Sequence, residues 1–180
     1  MKKRVLILSL ITLILVALIS TINFLNRLGD RSIESALVKN GINFKQIIHS
    51  EPIENTDLVF YEDINSQQIG IALLKKRWDR FKVIGSAGYA QKNSMDYPWS
   101  FTSQSIGGNY LAIYYGYISD SSIINIAVEN TSSIQKVHEA TITSSNIGKI
   151  WFAIFDYSNN FDVGKSSVVF YKSDGTSIVR

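Results

Sequence analysis

The residues best equipped for chemistry are His49 and His138, and their spacing argues against a shared site. They lie 89 positions apart, with no His-x-x-x-His pair and no carboxylate cluster at ligand spacing, so both read as polar strand residues and no metal is expected. Glu62 and Asp63 are the most conspicuous pair of acids. Neighbours on a strand point to opposite faces, so these two cannot straddle a substrate. There is no Gly-x-Ser-x-Gly elbow, phosphate loop or dinucleotide fingerprint, and Gly107-Gly108 precedes a strand rather than a helix. Cysteine is absent, which removes disulfides, thiolate metal sites and a lipid-modified cysteine. No cofactor and no enzyme activity are expected. A hydrolase of wall polymers would need an acidic pair drawn from distant strands, and nothing in the sequence signals one.

Binding chemistry is better represented. Lys75, Lys76 and Arg77 face Arg80 and Lys82 across a turn at Trp78-Asp79, giving the one concentrated patch of charge. Such a patch can touch anionic lipid headgroups or wall polymers. It is also what a solvated hairpin tip looks like when it discourages edge pairing. Aromatics crowd between Trp78 and Tyr117, and Trp99 with its neighbours is the candidate for a stacking surface. In the run from Tyr110 to Tyr117, Tyr110, Ala112, Tyr114 and Gly116 share one face; Leu111, Ile113, Tyr115 and Tyr117 share the other. Aromatics on both faces favour a buried central strand. The candidate binding residues are therefore Lys75, Lys76, Arg77, Arg80, Lys82 and Trp99.

These residues hang on a chain with a distinctive start. Lys2-Lys3-Arg4 precedes 21 uncharged residues, Val5 to Leu25, which as a helix would reach roughly 30 Å, the thickness of a bilayer's hydrocarbon core. Three cations before the segment and one, Arg27, after it put the N-terminus in the cytoplasm and the rest outside. A cleaved signal peptide has a shorter apolar core and a small-x-small site. The only loose candidate, Ala17 to Ser20, lies inside the apolar run, so an uncleaved single span is the expectation. The net charge of +3 belongs to this anchor: without Lys2, Lys3, Arg4 and Arg27, 14 basic residues face 15 acidic ones. A nucleic-acid partner is therefore not expected.

Beyond the anchor, residues 30–40 read as a short helix capped by Asp30 or Ser32 and stopped at Asn40-Gly41. Short β-branched and aromatic runs follow: Phe44 to Ile48, Leu58 to Tyr61, Ile69 to Lys76 and Arg80 to Ile84. A glycine-rich and polar stretch from Gly85 to Pro98 suggests a boundary. Further strands are expected at Tyr110 to Ile118, Ile123 to Val128, Val137 to Thr143, Ile147 to Phe155, and Ser167 to Tyr171 paired with Ser177 to Val179 through Asp174-Gly175. The division is an anchor at 1–27, a small α+β region at 28–98 and a sandwich-like region at 99–180. The fold class is mainly β (α+β), with a transmembrane helix, a short helix on a small antiparallel sheet, and an Ig-like β-sandwich.

Several of these segments resemble a group of small, uncharacterised membrane-anchored extracytoplasmic proteins of Bacillus-type Gram-positive bacteria. They are Ile47 to Glu51, Leu58 to Tyr61, the basic hairpin Ile69 to Gly85, Tyr115 to Ile118, Ile150 to Phe152 and Asp174-Gly175. The exit Gly85-Ser86-Ala87-Gly88 departs from the denser glycine run of that group. The resemblance implies a location and an architecture but no reaction. The expected function is non-catalytic binding at the cell envelope. The alternative is an accessory or regulatory subunit of a membrane complex, held through the transmembrane helix.

Overall fold

A computed structural model describes residues 2–64, 68–90, 97–106, 109–131, 137–146, 148–157 and 162–180, excluding the side chains of 2–9, 25–28, 89, 106, 109, 156 and 157. The candidate boundary residues 91–96, the Gly107-Gly108 pair and Ile147 lie outside this description.

Two helices come first, α1 (Lys2–Leu28) and α2 (Ile33–Lys39). The strands follow as β1 (Phe44–Ile53), β2 (Thr56–Asp63), β3 (Ile69–Arg77), β4 (Arg80–Ala90), β5 (Trp99–Ile106), β6 (Asn109–Ile118), β7 (Ile123–Asn130), β8 (Val137–Glu139), β9 (Thr141–Ser145), β10 (Gly148–Tyr157), β11 (Ser166–Lys172) and β12 (Ser177–Val179). The protein is mainly β, with three antiparallel four-stranded sheets ordered β1-β2-β3-β4, β5-β6-β10-β9 and β12-β11-β7-β8.

The side-chain pattern dictates the stacking. In β2, Leu58 and Phe60 face the second sheet while Val59 and Tyr61 face α2; in β3, Ile69, Ile71 and Leu73 oppose Ala72 and Leu74 in the same way. Strands apolar on both faces must be covered on both. The second sheet repeats the device. Leu111, Ile113, Tyr115 and Tyr117 of β6, with Ile150 and Phe152 of β10, pack toward the first sheet. Ala112, Tyr114, Trp151, Ala153 and Phe155 pack toward Ile126, Val128, Val168 and Phe170 of the third. The result is four layers: α2, then three sheets. Gly116 pairs with Trp99 at the start of β5, and a Cβ there would lie 2.2 Å from the Pro98 carbonyl oxygen.

Helix α2 forms where the sequence places it. Ser32 caps it, its Oγ accepting from the Ser35 N–H at 3.1 Å while Ser35 returns the bond, and Ala36 and Leu37 are buried on the first sheet.

Two expectations need correction. The single strand expected at Val137 to Thr143 is two, β8 and β9, which belong to different sheets. The chain changes sheet at Ala140, whose N–H donates to the Ile126 carbonyl at 2.8 Å. Trp99–Ile106, not expected as a strand, forms β5, the edge of the second sheet.

Helix α1 contains the apolar segment. Among the described residues, no helix is long and apolar enough to cross a membrane; the described side chains of α1 are those of residues 10–24. All of those side chains are exposed.

Candidate functional site

The basic cluster sits at the tip of the β3–β4 hairpin, whose register pairs Lys75 with Lys82, Lys76 with Phe81 and Arg77 with Arg80. Along β3, Ile71 and Leu73 point at the second sheet, so Lys75 and Arg77 continue that face beyond the core. Their partners Lys82 and Arg80 share it, because Phe81 and Val83 pack toward α2. Four cations thus form two like-charge cross-strand pairs, an arrangement that opposes folding. Among the described residues, Lys75, Lys76, Arg77 and Lys82 make no ion pair.

The turn is Trp78-Asp79. Trp78 has φ 57° and is 68% exposed, so a bulky residue adopts the left-handed backbone and gains little burial for it. The Arg77 guanidinium lies over its ring at 5.4 Å, and the Lys76 ammonium lies over Phe81 at 5.7 Å.

This tip is joined to the end of α1. Gly29 follows the helix with φ +98°, and a Cβ there would lie 2.3 Å from the Phe81 carbonyl oxygen, so only glycine fits. Asp30 and Phe81 exchange two backbone N–H···O bonds of 2.7 Å each. Arg80 donates from its guanidinium to the Gly29 carbonyl at 3.1 Å. Five of the six candidate residues are therefore one constellation: a cationic face and an exposed indole at the exit of α1. Chemically it is suited to anions, through charge and multiple N–H donors.

Trp99 is not part of it. Its ring packs 5.7 Å from Tyr114, in the core between the second and third sheets, to which the β3–β4 hairpin contributes nothing. Phe101 lies 4.8 Å from the same Tyr114. These aromatics are packing groups, in keeping with the two-faced pattern of β6.

The histidines are separate as well. His49 stacks on Phe152 at 5.3 Å with its Nε2 3.1 Å from Glu51, whereas His138 stacks on Phe155 at 3.6 Å on the far side of the second sheet. No group of three or more potential metal ligands occurs among the described residues. Glu62 is buried and held by Lys45 at 3.3 Å and Gln46 at 2.6 Å. Burial, and then the Glu62 charge, push the Tyr117 hydroxyl up to about 12. Asp120 accepts from the Ser122 side chain and backbone, from Lys172 at 3.2 Å and from Tyr97 at 3.0 Å. Those bonds, Ser122 foremost, hold its carboxyl well below the usual carboxylate range. Glu62 and Asp120 are thus each held by structural neighbours.

Sequence reasoning named the cations but treated Trp78 as a turn residue and did not connect Gly29 and Asp30 to the hairpin. The signal for Trp78 was present: two-residue turns favour Gly, Asn and Asp, and an indole there has no local reason. The contact with α1 spans about fifty positions and leaves no local trace. Comparison with known proteins gave no match: no protein-family model, no curated protein and no solved structure matches the chain.

Proposed function

We propose that the chain is a membrane-anchored extracytoplasmic protein that acts by non-catalytic binding at the cell envelope, with α1 as its single span and its N-terminus cytoplasmic. One observation carries the reading. Ten large apolar side chains of α1, Leu10, Ile11, Leu13, Ile14, Leu15, Val16, Leu18, Ile19, Ile22 and Phe24, are each 50–69% exposed, and they point in every direction around the helix. A helix apolar all round needs an apolar surround on all sides. Completing the burial of ten such side chains is worth on the order of 10 kcal/mol, comparable to the whole stability of a domain. The other described residues do not supply that cover, and a bilayer would. Helix α1, 27 residues long, reaches about 40 Å, enough to hold the uncharged stretch within the hydrocarbon and its cationic flanks outside it.

The region from residue 99 is read as an Ig-like sandwich. Counting β8–β9 as one strand that changes sheet, the orders β5-β6-β10-β9 and β12-β11-β7-β8 follow the A-B-E-D and G-F-C arrangement of that architecture. The Gram-positive setting rests on the sequence resemblance alone.

Protease shaving of intact protoplasts carrying a C-terminally tagged copy tests the topology. A tag that fractionates with membranes and is removed by external protease is the expected result. A tag released to the medium would replace the anchor with a cleaved signal, and a protected tag would invert the orientation.

A further inference from the structure

We propose that the β3–β4 hairpin tip docks onto the surface of the bilayer from which α1 emerges, with Trp78 seated in the interface and Lys75, Arg77, Arg80 and Lys82 on anionic phospholipid headgroups. The inference deepens the anchored reading and rests on it.

Height is the first argument. The uncharged segment ends at Leu25, and the chain rises about 6 Å from there to Gly29 at about 1.5 Å per helical residue. The headgroup layer on each side of a bilayer is about 5–8 Å deep. Arg80 is bonded to the Gly29 carbonyl, and Phe81 to Asp30, so the hairpin tip is held at headgroup level by the chain's own backbone. Gly29 admits no side chain, which keeps that seam tight.

Chemistry is the second. Two like-charge cross-strand pairs stand at the tip with no ion pair among the described residues for Lys75, Arg77 or Lys82, and an anionic surface relieves the repulsion they create. The third is Trp78 itself. An indole 68% exposed at a positive-φ turn position gains little burial and only the Arg77 guanidinium over its ring, whereas the membrane interface is where indole rings partition best. A cell-wall polymer could satisfy the cations, but it would leave the indole and its height unexplained.

The test uses the full chain reconstituted into phosphatidylcholine vesicles, with or without phosphatidylglycerol, carrying lipids brominated near the headgroup. Trp78 fluorescence is obtained as the difference between the parent chain and Trp78→Phe, since Trp151 is buried and Trp99 is half-buried. The expected result is strong quenching of that difference signal in phosphatidylglycerol vesicles. It should fall by about half or more when Lys75, Lys76 and Arg77 are changed to Glu, and on raising salt to a Debye length of about 3 Å. Circular dichroism checks that the variants keep their sheets. No quenching in a chain that floats with the vesicles overturns the docking and leaves the anchor standing. A chain that fails to float removes both. Loss of quenching on adding soluble poly(glycerol phosphate) at less phosphate than the lipid presents overturns the lipid assignment in favour of a wall polymer.

Discussion

Lys82→Glu should move folding stability and bilayer docking in opposite directions, which no purely structural role for the hairpin would do. Lys82 stands directly across from Lys75 on the cationic face. An acid at position 82 replaces a like-charge pair with an opposite-charge pair, worth about 0.5–1 kcal/mol of stability. For a body of this size that corresponds to a Tm higher by about 1–4 °C. At the membrane the same change removes one attraction and adds one repulsion, about 2 kcal/mol in all near an anionic surface. That is roughly a 30-fold shift in the ratio of docked to free hairpin. Stability is read by thermal unfolding of the full chain in non-ionic detergent at low salt, and docking by Trp78 quenching in phosphatidylglycerol vesicles. Both effects should shrink together as salt rises, because both are screened surface electrostatics. A lower Tm would mean the cations are satisfied within the fold. Unchanged quenching would mean they do not face lipid. Either result refutes the reasoning.

Two further outcomes test the body that carries the hairpin. Phe152→Ala removes a side chain stacked 4.9 Å from Phe60 between the first and second sheets, and should cost about 3–5 kcal/mol in chemical denaturation. The pH–Tm profile should fall at both ends. Asp120, held below the usual carboxylate range by Ser122, Lys172 and Tyr97, contributes stability that is present above the unfolded carboxyl's value and lost as pH drops below about 4; Asp120→Asn should flatten that limb. Tyr117 stays neutral in the fold up to about 12 while the unfolded phenol ionises near 10, so its contribution is lost as pH rises between those values.

Much of the architecture was legible because the signals were local. The helix ending at Asn40-Gly41, the hairpin at Trp78-Asp79 and the two faces of β6 each follow from a cap, a turn or an alternation within a dozen residues. What was not legible depended on distant partners. Trp99–Ile106 (Trp-Ser-Phe-Thr-Ser-Gln-Ser-Ile) is too polar to declare itself a strand, and it becomes one by pairing with β6. The switch of sheets at Ala140 has no glycine or proline to mark it; the neighbouring β7 fixes it through the Ile126 carbonyl.

The candidate site divides along the same line, and the division bears on what it does. Charge is visible in a sequence wherever it clusters, so five cations were found; whether a charge is already compensated depends on the fold. Lys45, Lys172 and Lys39 have acidic partners within 3.4 Å, and they read no differently in the sequence from Lys75. Trp99 and Trp78 pose the converse problem. Both lie in the aromatic-rich stretch, yet one ring is spent on Tyr114 while the other protrudes from a turn that suits glycine better. An exposed indole and unpaired cations are each weak evidence of a partner. Gly29 and Asp30 bond the hairpin that carries both to the exit of an apolar helix. In the docking proposed above, one bilayer accounts for the helix, the charge and the ring together.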